Sequence, residues 1–76
     1  MKEQIMTVLK SVKPGMDFNE EFHLVYQGIL SSLEIIQLIM GLEQTFGVKI
    51  PVTEILPENF DTPSAIETMI NRLSGK

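Results

Sequence analysis

Ser32-Leu33-Glu34-Ile35-Ile36-Gln37-Leu38-Ile39-Met40-Gly41-Leu42-Glu43-Gln44-Thr45-Phe46, followed by Gly47, is the stretch from which the rest of the chain can be read. At about 100° per residue, Ile35, Leu38, Ile39, Leu42 and Phe46 fall on one stripe, which predicts a helix over 32–46 with that stripe facing a core. Gly47 stands just past the end, where a left-handed C-cap favours glycine. Leu33, Ile36 and Met40 form a second apolar line more than about 100° around the helix, with Gln37 and Gln44 beside it. Two readings of this line are open. It is a protein-contact surface, to which the adaptable packing of methionine is suited, or it is ordinary core under a long loop.

Working outward, Ile5, Met6, Leu9 and Val12 recur at helical spacing and predict a first helix over 2–12, which Pro14-Gly15 ends. Residues 13–30 hold Phe18, Phe22, Leu24, Val25 and Tyr26 without a sustained period. They read as a long connection pinned to the core by apolar side chains, with Tyr26 as an amphipathic anchor. Phe22 to Tyr26 is open to two further readings, a short strand or an extra turn of helix. Beyond Gly47, Val48-Lys49-Ile50-Pro51 is extended, because the residue before proline is pushed out of the helical region. Val52 to Leu56 has room only for a short helix before Pro57. Asp61-Thr62-Pro63 opens a last helix, with Thr62 as N-cap, Pro63 at the first helical position, and Ala65, Ile66, Met69, Ile70 and Leu73 on its apolar face. The predicted fold is all-α: three main helices plus one short helix around one core, with a long loop after helix 1.

The chain has 76 residues, which predicts one domain over 1–76. A domain this small buries only roughly 60% of its unfolded surface, so a deep catalytic cavity is not expected and no catalytic residue is assigned. At 43% hydrophobic residues the chain is too apolar for disorder, yet no apolar run is long enough to cross a bilayer. Six basic residues against ten acidic ones give a net charge of −4. Without a basic cluster, nucleic acid is not an expected partner, and basic protein surfaces suit the acidic balance better. There is no cysteine and His23 is the sole histidine, so no metal site is expected. An acid and a glutamine precede any apolar stretch, unlike a signal peptide, which makes the cytoplasm the expected compartment.

Ser31-Ser32-Leu33-Glu34 fits a capping box: the Ser31 hydroxyl accepts from the Glu34 amide, and the Glu34 carboxylate reaches back to the Ser31 amide. Ser32 is then the first helical residue, with a side chain not needed for capping, at the positive end of the helix dipole. A phosphodiester would be well placed there. The plainer reading is two serines that start a helix.

The run Gly28-Ile29-Leu30-Ser31-Ser32-Leu33, continuing through the helix to Phe46-Gly47-Val48-Lys49-Ile50-Pro51, resembles the acyl carrier protein family of phosphopantetheine-binding carriers. In that family a glycine leads into an Asp-Ser-Leu motif, a recognition helix follows, and a Phe-Gly-Val-x-Ile-Pro segment precedes a short third helix and a fourth. The resemblance implies that Ser32 receives 4′-phosphopantetheine from coenzyme A through a phosphopantetheinyl transferase. The thiol of that group would hold cargo as a thioester for shuttling between partner enzymes. It further implies partner recognition through Leu33, Glu34, Ile36, Gln37 and Met40, with an adenylating or loading enzyme and acyl-accepting enzymes as partners and a monomeric carrier. The Gly-Ile-Leu-x-Ser approach and Ile55-Leu56-Pro57-Glu58-Asn59-Phe60-Asp61 look more like stand-alone aminoacyl carriers, including D-alanyl carrier proteins, than like the carriers of fatty acid synthesis.

One position departs from the pattern. Ser31 stands where the family usually has aspartate; serine and aspartate are near-equivalent N-caps, but a charge beside Ser32 is lost. Gln37 and Gln44 likewise stand where relatives often have acids, so recognition is expected to lean on Leu33, Ile36 and Met40 rather than on charge. The same departure favours an alternative: a diverged interaction module, never pantetheinylated, that binds an enzyme through helix 32–46. A small hydrolase is a poor third, because His23 has no oxyanion glycine motif to accompany it and reads as a loop or packing residue.

Overall fold

The computed structural model describes residues 1–16, 18 and 23–75. Among the described residues four α-helices form, α1 (Lys2–Val12), α2 (Ser32–Phe46), α3 (Pro57–Phe60) and α4 (Pro63–Leu73), with a 3₁₀ turn at Val52–Glu54. No strand occurs among the described residues. α1 packs against both α2 and α4, and α3 packs against α4. Ile5 and Leu9 of α1, Leu38 and Leu42 of α2, and Ile66, Met69 and Ile70 of α4 are fully buried between them. Ile35, Ile39 and Phe46 flank that core half-buried.

The short helix lies one segment later than the sequence suggests. Val52 to Leu56 forms only the 3₁₀ turn, closed by Ile55 N–H on the Val52 carbonyl at 3.0 Å. Pro57 then opens α3 as well as ending what precedes it, because a proline at the first helical position lacks only an N–H that would have had no partner. α2 ends on Gly47 at φ 63, a left-handed conformation that glycine adopts without steric cost, with its N–H on the Glu43 carbonyl.

The connection is pinned differently from its expected pattern. Phe18 and Leu24 are buried, whereas Tyr26 leaves 67% of its surface exposed and anchors nothing with its ring. Its backbone does the anchoring. Asp61, between α3 and α4, is only 7% exposed. Its Oδ1 accepts the N–H groups of Val25 at 3.1 Å and Tyr26 at 3.0 Å, and its Oδ2 meets His23 Nδ1 at 2.5 Å. Its backbone carbonyl also accepts Leu24 N–H at 2.7 Å. Residues 23–27 make a hydrogen-bonded turn, Gln27 N–H to the His23 carbonyl at 2.9 Å; Phe22 lies outside the described residues. Burial by itself would raise the Asp61 carboxyl pKa, but the hydrogen bonds from Tyr26, His23 and Val25 outweigh it and hold the group below the usual range.

α1 and α2 approach closely because residue 41 has no side chain: a Cβ there would stand 2.7 Å from Val8 Cγ1. Gly41→Ala is therefore expected to lower stability by about 1–2 kcal/mol, since overpacking against a stiff, β-branched Val8 outweighs alanine's better helix propensity. In a Val8→Ala background the same change should stabilise by up to about 1 kcal/mol. Denaturant unfolding of the four proteins measures both effects, and simple additivity would mean the two positions do not compete for the same space.

Asp61 gives a second expectation. A carboxyl with a lowered folded-state pKa contributes stability that is complete above its unfolded value, about 3.9, and is lost as pH falls through the folded value. Asp61→Asn should cost about 2 kcal/mol at neutral pH, and the gap to wild type should close below about pH 4. Paired thermal melts from neutral to strongly acidic pH test this; a gap that stays constant into acid would be inconsistent with it.

Candidate functional site

The start of α2 is closed by a reciprocal cap. Ser31 is extended, and its Oγ accepts Glu34 N–H at 3.2 Å while Glu34 Oε1 accepts Ser31 N–H at 2.8 Å. Lys13, just beyond α1, places its Nζ 3.4 Å from the same Glu34 oxygen and ties the end of α1 to the start of α2. The Ser31 N–H is the main reason that the Glu34 carboxyl is held below its usual range; burial works against it, and the Ser31 hydroxyl and Lys13 add to it. Although residue 31 is uncharged, a carboxylate thus sits against its backbone.

Ser32 is the first residue of α2 and is exposed. Its hydroxyl takes no part in the capping box, and neither do the N–H groups of Ser32 and Leu33. These donors point out of the N-terminal end, where the helix dipole favours an anion.

Leu33, Ile36 and Met40 are 64%, 54% and 55% exposed. The reading of this line as core beneath the connection does not hold. Gln37 and Gln44 are exposed beside it. Both acids of α2 are engaged inside the molecule, Glu34 in the cap and Glu43 through its Oε2, which accepts Ile50 N–H at 2.9 Å. Glu34 therefore stands half-buried at the helix start and not on the open apolar line.

On the side of α2 that carries Ile35, the connection, α2 and α3 line a partly open cleft of about 130 Å³, formed by Val25, Ile35, Ile55, Leu56, Pro57 and Phe60. Ile35 lies three residues, about one helical turn, beyond Ser32. A cavity of roughly 150 Å³ takes a benzene molecule, so the cleft, which is partly open to solvent, has room for a small apolar group. Ile55 and Leu56 are partly exposed at its rim and Val52 is almost wholly so, which extends the apolar surface away from α2.

Asp61 is the residue that sequence reasoning passed over. Its position before Thr62-Pro63 marks a helix start, and Thr62 does cap α4, its Oγ1 accepting Ala65 N–H at 3.1 Å. The partners of Asp61 lie 35 to 38 residues away, and no local signal announces them. Among the described residues no group of three His, Cys, Asp or Glu could hold a metal ion, and no helix is long and apolar enough to cross a membrane.

A family model described as a phosphopantetheine attachment site matches residues 2–70. A D-alanyl carrier protein of Lactococcus lactis subsp. lactis is 33% identical over 72 residues, covering 92% of this chain and 91% of that protein. Another, from Lactobacillus delbrueckii subsp. bulgaricus, is 27% identical over 78 residues, covering 100% of this chain and 96% of that protein. Among solved structures, a chain in the crystal structure of Bradyrhizobium japonicum glycine:[carrier protein] ligase complexed with glycylated carrier protein superposes with a TM-score of 0.78 at 31% identity. That likeness covers 90% of this chain and 95% of the other. With the helix order, the capped α2 and the matched span in agreement, the chain belongs to the phosphopantetheine-bearing acyl carrier family, close to its D-alanyl-type members.

Proposed function

We propose that this carrier bears 4′-phosphopantetheine on Ser32, attached by a phosphopantetheinyl transferase, and that its cargo is a small amino acid loaded by an adenylating ligase. The observation that carries the reading is the division of labour at the start of α2. Ser31 and Glu34 satisfy the cap between them, so the exposed Ser32 hydroxyl is left for modification. The unused N–H groups of the first turn face the position that a phosphodiester on Ser32 would take. When bound, the prosthetic group supplies a flexible arm ending in a thiol that holds cargo as a thioester. The chain's own residues do the rest: Ser31 and Glu34 fix the direction of the helix, and Leu33, Ile36, Gln37 and Met40 present the surface that partner enzymes read.

The apolar cleft has room for a small apolar group, in keeping with a small cargo. The structural relative is described with a glycylated carrier and the sequence relatives as D-alanyl carriers, which point the same way. In this reading the chain acts as a monomer in the cytoplasm, has no catalysis of its own, and passes cargo to acyl-accepting enzymes. Ser31 in the place of aspartate favours a second reading, an unmodified module docking through 32–46.

Intact-protein mass after incubation with coenzyme A and a broad-specificity transferase separates the two. One added phosphopantetheine is expected on the wild type, none on Ser32→Ala, and a slower addition on Ser31→Ala. A folded wild type that several transferases leave unmodified would favour the second reading. Recognition gives a further expectation: with both α2 acids turned inward, KM of the loading enzyme for the carrier should change less than about threefold between low and high salt. Ile36→Glu should raise it about tenfold or more, the loss expected when a charge is placed in the middle of an apolar contact. A steep salt dependence with an indifferent Ile36→Glu variant would refute a mainly apolar interface.

A further inference from the structure

A path of hydrogen bonds runs from Asp61 to the residue just before the α2 cap. The Asp61 carbonyl accepts Leu24 N–H, and the Leu24 carbonyl accepts Leu30 N–H at 3.0 Å. Leu30 directly precedes Ser31, whose carbonyl accepts Ile35 N–H at 2.9 Å as α2 begins. Residues 24–30 are thus a compact turn, closed at its base by the Leu24–Leu30 bond and fastened to the α3–α4 corner at three successive N–H groups. Leu24 and Leu30 plug its underside into the core, and Val25 forms one wall of the cleft.

His23 completes the fastening from the rim. Its side chain is half exposed, whereas that of Asp61 is nearly buried. An ionised carboxylate only accepts hydrogen bonds, so the contact places the ring proton on Nδ1. The same residue closes the turn through its backbone: His23 N–H donates to Gln27 Oε1 at 2.8 Å.

We propose that Asp61 and His23 are positioning residues for the attachment serine: the latch between them holds the 24–30 turn so that Ser32 is presented in the geometry that modifying and loading enzymes require. The inference rests on the carrier reading and deepens it. Neither residue touches Ser32. Both act through the backbone of the turn, and a loosened latch lowers the fraction of molecules with a correctly presented Ser32. Apparent affinity for an enzyme falls by that fraction, while turnover of the correctly bound complex does not.

The test uses the apo carrier, coenzyme A and a transferase, with His23→Ala, His23→Asn and Asp61→Asn. His23→Ala is expected to raise the transferase KM for the carrier about three- to tenfold with kcat nearly unchanged. His23→Asn keeps a donor near the position of Nδ1 and should restore most of the affinity. Native-state amide exchange should quicken about tenfold in His23→Ala at Val25, Tyr26 and Leu30, and stay unchanged at Leu38 and Leu42. Asp61→Asn should act in the same direction on KM. A folded His23→Ala with wild-type KM, or an asparagine variant as impaired as the alanine one, overturns the positioning role alone. A wild type that is never modified overturns the carrier reading and this inference with it.

Discussion

A carboxylate that is all but removed from water has to be met by donors, and in this protein those donors come from the backbone of a loop some 35 residues away in sequence. Asp61 receives two N–H groups and an imidazole on its side chain and a third N–H on its carbonyl. The cost of burying such a group without partners is several kcal/mol, so these bonds hold the loop against the α3–α4 corner. The consequences spread from there. Leu24 enters the core, Val25 walls the cleft, and the chain arrives at Ser31 from a fixed direction.

The second feature is the use of charge. A chain with ten acids has enough charge to line α2 with it. Instead α2 turns Glu34 to its own N-terminus and Glu43 to the Ile50 amide, and shows Leu33, Ile36, Met40 and two glutamines to solvent. Apolar contact is tolerant of partner shape where paired charges are not, and Met40 adds flexibility to it.

The small size of the domain fits this division of tasks. Among the described residues three helices and a short fourth surround one core, α1 and α2 approach closely where Gly41 makes room for Val8, and a cleft of about 130 Å³ lies beside Ile35.

Where the signal was local, it was legible in the residues. The period of 32–46, the Ser31-Ser32-Leu33-Glu34 cap, Gly47 and Thr62-Pro63 each depend on residues within one helical turn of one another, and the order of helices and the family follow from them. Pro57 was legible as a stop but not as the start of α3, since a proline reads the same in both roles. The face-by-face fate of α2 was not decided locally: whether Leu33, Ile36 and Met40 were covered depended on where the connection ran, and that was set by Asp61. His23 and Tyr26 show the same limit, for a loop histidine became the half-exposed partner of a buried carboxylate and a supposed ring anchor became a backbone one. Sequence alone determined the three long helices and the capped serine because hydrogen bonds and periodicity act over three or four residues. Tertiary structure alone decided the open stripe, the cleft and the Asp61 latch, because each requires groups far apart in the chain to meet in a space only the folded core defines.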